Sequence, residues 1–331
     1  MRHQFFIVFC WLIFTCPFSG FTQLQRFHYE REKMGSPFHL IFYHQNASEA
    51  AVIGEQCFQF IDSLNHIFSD YDTTSELSNI NRTAFLHPVK VSPLMQEILC
   101  MSDKAYQSSQ GSFDVGVGNL SRLWRSARKK NQIPDTSSIS AALEQSGWKN
   151  INYSCEAGTI YFTKPGLALD LGGIAKGYIA QQVINRLQQW GIQDALADAG
   201  GDIVAIGNPP NKKGWQIAIN RPEEKEAILE RNITLFNKSV ATSGDSFQFV
   251  EKNGMRFSHI INPINGMGIT QQKNVTVIAA NGALADWLAT ACSMLDNKAA
   301  LKLAKKCGAE LLITQLIGEK ITFVQTPGFW N

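Results

Sequence analysis

Residues 167–206 read LALDLGGIAKGYIAQQVINRLQQWGIQDALADAGGDIVAI, and the fold class turns on how they divide. Leu167 to Leu171 has the apolar character of a short strand, and the helical spacing that follows runs from about Ile174 to Trp190. The next apolar pieces, Ala195 to Ala197 and Ile203 to Ile206, are separated by little more than a glycine pair, which reads as strand, turn, strand. A strand–helix–strand step is thus followed at once by a hairpin. Outward from this stretch, strands are predicted at 38–43, 159–163, 215–219, 247–250, 275–279, 311–314 and 321–324. Helices are predicted at 48–68, about 93–108 and 139–145. Hairpin neighbours outnumber strict alternation, so the expected class is α+β: a single elaborated domain of mixed, largely antiparallel sheet with packed helices, over residues 23–331.

The composition sets the partner class. With 44% hydrophobic and 18% charged residues the 331-residue chain is neither disordered nor a coiled coil. Lys+Arg 30 against Asp+Glu 28 gives +2, too even a balance for a phosphate backbone to be the main partner, so no nucleic acid is expected. Residues 1–22 differ from the rest: a basic start, Met1-Arg2-His3, then the apolar run Phe5 to Cys16. The run falls short of the ~20 residues that span a bilayer, which makes 1–22 a secretory signal and predicts an exported, periplasmic chain. A lipid anchor at Cys16, attaching the chain to the inner membrane, is the alternative, although Phe14 and Thr15 fit it poorly.

The remaining cysteines, Cys57, Cys100, Cys155, Cys292 and Cys307, are odd in number with no CxxC, so no disulfide scaffold is expected and they read as buried small hydrophobes. The histidines His28, His39, His44, His66, His87 and His259 are scattered and form no metal set with them. Arg122, Arg125, Arg128, Lys129 and Lys130 read as a solvated basic face.

Four segments can carry chemistry. Asp170-Leu171-Gly172-Gly173-Ile174-Ala175-Lys176-Gly177 is a glycine pair opening a helix, where unpaired N–H groups, the helix dipole and Lys176 would meet a phosphate; a plain tight turn is the alternative. In Ala283-Leu284-Ala285-Asp286-Trp287-Leu288-Ala289-Thr290, Asp286 and Thr290 lie one turn apart on one face of an apolar helix. A carboxylate there needs a charged partner, and a hard cation such as Mg²⁺ would supply it; a lysine pair or a cap would also do. Ala241-Thr242-Ser243-Gly244-Asp245 suits a ligand loop, and His259 in Ser258-His259-Ile260-Ile261-Asn262-Pro263 is either a base near neutral pH or a structural histidine. Ala199-Gly200-Gly201-Asp202 is the fourth, equally a turn.

Together and in order with Met34-Gly35-Ser36-Pro37-Phe38, Tyr71, Ser75-Glu76-Leu77-Ser78, Asn81 and Gly111-Ser112-Phe113-Asp114, these segments resemble the FAD:protein FMN transferase (ApbE) family. The resemblance implies an enzyme that splits FAD at its pyrophosphate with Mg²⁺, transfers FMN to a Thr or Ser side chain of an acceptor protein through a phosphoester, and releases AMP. It implies Asp286, Thr290 and the carbonyl of Gly173 as metal ligands. Met34, Tyr71, Ser112, Phe113, Asp114, Asp170, Lys176, Thr242, Ser243, Gly244 and Ile261 fall at the FAD site, and His259 is the base. The implied acceptor is an exported domain carrying a Thr/Ser flavinylation motif, part of a membrane redox complex.

The family's usual pattern is altered at Ser36 (Thr), Asp198 (Asn is frequent) and Asn262 (Asp). The loss at Asn262 either alters His259 or only a turn. Two rivals remain at this level: an FAD pyrophosphatase, with water as nucleophile at the same site, and a non-enzymatic exported FAD-binding protein.

Overall fold

The computed structural model describes residues 23–219, 229, 231–244, 249–252, 254–317 and 320–330. The predicted signal, Asp245 and part of the predicted strand at 247–250 lie outside the described residues. The chain runs β1 (Gln25–Lys33), β2 (Ser36–His44), α1 (Ala47–Phe68), α2 (Glu76–Thr83), β3 (Val89–Lys90), α3 (Pro93–Ser109), α4 (Gly118–Lys129), α5 (Thr136–Glu144), β4 (Ile151–Ser154), β5 (Thr159–Phe162), α6 (Ala175–Gln189), β6 (Ala195–Ala199) and β7 (Ile203–Ile206). It continues β8 (Trp215–Ile217), β9 (Ile233–Leu235), β10 (Lys238–Ser243), β11 (Phe249–Lys252), β12 (Met255–Ser258), β13 (Lys273–Ala279), α7 (Gly282–Met294), α8 (Asn297–Lys306), β14 (Glu310–Ile317) and β15 (Lys320–Gln325).

An eight-stranded sheet, ordered β1-β2-β6-β7-β10-β13-β14-β15 and antiparallel at every step, is the frame. Period-two alternation gives β2 two apolar faces. Phe38, Leu40 and Phe42 enter the main core with α1, α6 and α7, while Ile41 and Tyr43 face a second layer built on Trp215, Ile233, Leu235 and Phe329. The first helix begins where Asn46 accepts the N–H groups of Ser48 and Glu49, and its buried stripe Cys57, Phe58, Ile61, Leu64 and Phe68 follows the 3.6 period.

Two expectations are corrected. Leu167 to Leu171 is not a strand. Its backbone groups are satisfied elsewhere: Asn81 accepts from the Leu169 N–H and donates to the Leu169 carbonyl, Asp170 N–H reaches Val115, and Ala168 accepts from Gly118. Cys100 and Cys155 form a disulfide that ties α3 to the β4–β5 hairpin, whereas Cys57 and Cys292 are buried as expected. A third, small cluster of Leu120, Trp124, Ile139, Phe257 and Ile261 seats the segment after β12 on α4 and α5.

Candidate active site

The centre is a crossing of two helix starts. A Cβ on Gly177 would lie 2.1 Å from the Gly282 carbonyl oxygen, and one on Gly282 would lie 2.1 Å from that of Gly177, so only this glycine pair lets α6 and α7 approach so closely. The approach brings Asp286 to the first turn of α6, where its Oδ2 accepts the Gly177 N–H at 3.0 Å. Asp286 is 6% exposed, and burial pushes its carboxyl up to about 6 against the Gly177 N–H and Lys176. Asp202, also buried, is raised well above the usual carboxylate range by burial and then by Asp286, with Lys176 opposing. The Lys176 Nζ lies 3.8 Å from Asp202 Oδ2. Two buried acids therefore share one half-buried lysine, a deficit that a cation would offset.

Thr290 stands one turn beyond Asp286. A Cβ on Gly173 would meet Thr290 Oγ1 at 3.3 Å and the Phe113 ring at 3.2 Å, so this bare stretch of backbone is a cradle that a side chain would fill. Carboxylate, hydroxyl and main-chain carbonyl oxygens are the donor set a hard cation such as Mg²⁺ accepts, and the residues present fit one. Phe113 is held by Trp287, with ring centroids 6.0 Å apart.

A second group lies at the start of the same loop. Asp170 Oδ1 accepts the Gly172 N–H at 2.8 Å, and its Oδ2 is 3.8 Å from Arg125 Nη2. Arg125 Nη1 bonds Asp70 Oδ2 at 2.9 Å, and its guanidinium carbon sits 4.0 Å from the centre of the Tyr71 ring. Burial and Asp170 raise the Asp70 carboxyl while Arg125 lowers it. Tyr71 is 72% exposed, a flat aromatic surface backed by a cation and open to a ligand. The basic run of α4 is thus not uniformly solvated. Arg122, Lys129 and Lys130 are exposed, but Arg125 belongs to this group.

The other expected residues are placed as follows. Ser112 is buried, and Asp114 accepts the N–H groups of Gly116 and Trp148 with its carboxylate, clamping the turn that presents Phe113. Met34, at φ 53°, forms with Gly35 the two-residue turn joining β1 to β2. Next to that turn the buried Ser36 Oγ has no hydrogen-bond partner, and a Cβ on Gly200 would come within 2.4 Å of it. Gly200 and Gly201, at φ 71° and 101°, make the β6–β7 turn that carries Asp202.

Thr242 bonds Thr276 at 3.0 Å, with the half-buried Ser243 after it, and Gly244 abuts Asn274 where any Cβ would clash. His259 is exposed in the turn after β12. That turn is tied down by the Ile261–Gly268 bridge and by Trp124, whose indole N–H donates to the Gly266 carbonyl at 2.8 Å. Asn262 accepts the Ile264 N–H at 2.9 Å, a turn bond that aspartate would make equally.

Sequence reasoning passed over Arg125, Asp70 and Trp287, and left the Asp202 segment open between a chemical role and a turn. Asp202 carried a signal, an acid directly after a glycine pair. The others carried none, since their partners are far along the chain.

The ApbE family model matches residues 34–313. The FAD:protein FMN transferase of Klebsiella pneumoniae (strain 342) is 30% identical over 257 residues, 77% of this chain and 78% of that protein. The FAD:protein FMN transferase of Chlamydia muridarum is 28% identical over 309 residues, 92% of this chain and 95% of that protein. Among solved structures, the apo form of the Pseudomonas stutzeri flavinyl transferase ApbE superposes with TM-score 0.81 at 26% identity, covering 93% of this chain and 96% of that one. A Vibrio cholerae flavin transferase ApbE at 24% identity shares the fold, with TM-score 0.83 over 93% of this chain and 99% of that one.

Proposed function

Because the chain belongs to the ApbE family, we propose that it moves the FMN half of FAD onto a Thr or Ser side chain of an acceptor protein and releases AMP. The observation that carries the reading is the buried Asp286 held at the first turn of α6 beside Lys176, with Thr290 against the bare Gly173 backbone. Asp286, Thr290 and the Gly173 carbonyl would hold Mg²⁺, which supplies charge neutralisation to a pyrophosphate.

The chain's own residues do the rest. Lys176 in the first turn of α6 orients the pyrophosphate, and Tyr71 on Arg125 gives an aromatic ring of FAD a stacking surface. Phe113, Ser112, Met34, Ser36 and the Thr242–Gly244 segment bound the pocket. The acceptor hydroxyl attacks the phosphorus on the flavin side, the bond from that phosphorus to the bridging oxygen breaks, and AMP leaves with that oxygen. His259 takes the hydroxyl proton, and its exposed position lets a protein nucleophile reach it. The apolar run within residues 1–22 and the Cys100–Cys155 disulfide both support an exported, periplasmic protein acting on exported domains of membrane redox complexes.

Incubation with FAD, Mg²⁺ and an acceptor domain, read by intact mass, tests this. The acceptor should gain one FMN, and chelation or Asp286→Asn should cut the rate by about 100-fold or more, while His259→Ala reduces it less. Asp286→Asn keeps an acceptor for the Gly177 N–H, so a folded but inactive variant is the expected outcome. Free FMN and AMP with an unmodified acceptor would replace transfer by hydrolysis, and unchanged FAD would leave only binding.

A further inference from the structure

The antiparallel pairing of β1 and β2 undoes the apparent scatter of two histidines. Glu30 lies directly opposite His39, and His28, two residues from Glu30, shares its face of the sheet. The side chains converge: His28 Nε2 is 3.2 Å from His39 Nδ1, and that same Nδ1 is 3.5 Å from Glu30 Oε2. One donor atom from each residue falls within 4.8 Å of the other two, the one such group of three metal-binding side chains among the described residues.

Four ligands at the ~2.0–2.1 Å of zinc–nitrogen and zinc–oxygen bonds sit ~3.3–3.4 Å apart at the corners of a tetrahedron. The two closest separations here straddle that spacing, and the third, within 4.8 Å, closes to it by side-chain rotation. We propose that His28, His39 and Glu30 form a binding site for a borderline divalent cation of the zinc type, separate from the Asp286 centre.

Two imidazoles and a carboxylate select against Mg²⁺ and Ca²⁺, which take oxygen ligands, and leave a fourth corner open to water. The surroundings favour a cation. Asp198 lies opposite His39 on β6, on the same face, and adds negative charge. Arg26, acting on His28, and Lys176, acting on Asp198, oppose it. Because β1 is an edge strand of the large sheet, a bound ion would clamp that strand to β2.

The test uses the purified full chain, stripped with chelator, restored to excess Mg²⁺ and titrated with Zn²⁺ against a chromophoric competitor. One zinc should bind, and His28→Ala and His39→Ala should each weaken it at least about tenfold, the lower end of what even outer supporting residues cost. His44→Ala and His66→Ala, whose rings pair with Glu49 and Asp72, serve as controls and should not change it. The melting temperature should rise with zinc in the wild type and stay fixed in a His28→Ala/His39→Ala double variant that retains its zinc-free melting temperature and its circular dichroism. Failure to bind zinc, or equal affinity in the wild type and both single variants, would overturn the site and leave an ordinary histidine–histidine hydrogen bond.

Discussion

Arg125 shows what a single side chain contributes and why it was hidden. It neutralises Asp70, faces Asp170 and backs the Tyr71 ring, so Arg125→Ala should raise KM for FAD by about tenfold, a cation–π contact's worth. Steady-state kinetics would show this with a smaller change in kcat. In the run from Arg122 to Lys130 nothing local distinguishes it from its solvated neighbours, because only the fold brings Asp70 and Asp170 to it. Asp286 stood out for the opposite reason, since a lone acid in an apolar helix demands a partner by its position alone, although the partner it meets, the Gly177 N–H, lies on another helix.

Asp114 gives a pH signature. Burial pushes its carboxyl up to about 6 from an ordinary 3.8, against the N–H bonds of Gly116 and Trp148. Between those values the folded chain holds the proton more tightly than the unfolded one, so this group's contribution to stability falls as pH rises through the interval. Asp114→Asn should flatten that part of the stability curve and gain about 1–2 kcal/mol at pH 7. Urea unfolding at several pH values would show it, and a variant curve parallel to the wild type would refute the assignment.

At the scale of elements, the α6–α7 crossing is the most demanding contact. Gly177→Ala drives a methyl into the Gly282 carbonyl and to 2.8 Å from Asp286 Cβ, and should cost about 2–3 kcal/mol. It should also displace Asp286 and abolish transfer, which denaturation and the mass assay would separate. The two helices themselves were readable, α6 from its helical spacing and α7 as an apolar helix carrying Asp286 and Thr290, but their meeting point was not, since a glycine in a helix start has several explanations. The predicted strand at Leu167 to Leu171 failed on the same ground: its apolar character is real, but a side-chain amide, Asn81, and the turn before α4 take the bonds a neighbouring strand would have taken. The disulfide between α3 and the β4–β5 hairpin also escaped sequence arithmetic, because an odd cysteine count hides a single pair. Cys100→Ser/Cys155→Ser should lower stability by about 2–4 kcal/mol with transfer retained at low temperature, and an unchanged melting temperature would show the bridge to be idle.

Across the whole molecule, the α+β class was legible because hairpin neighbours dominate the sequence from Ala195 onward. The sheet bears this out with antiparallel pairing throughout. What no local pattern could show is that β2 is completed by β6, a strand lying beyond residues 45–194 with their six helices and small three-stranded sheet. That order has a consequence for the birth of the protein. From β6 onward each strand of the large sheet pairs with the sheet strand made before it, so the C-terminal half assembles largely through contacts between near neighbours in the chain. The first hairpin has no such luxury. Made before the other strands of the sheet, it carries Phe38, Leu40 and Phe42 along an open edge until β6 has been synthesised. During that interval the nascent chain exposes an apolar strand, and a holding chaperone would find a target in the β1–β2 hairpin.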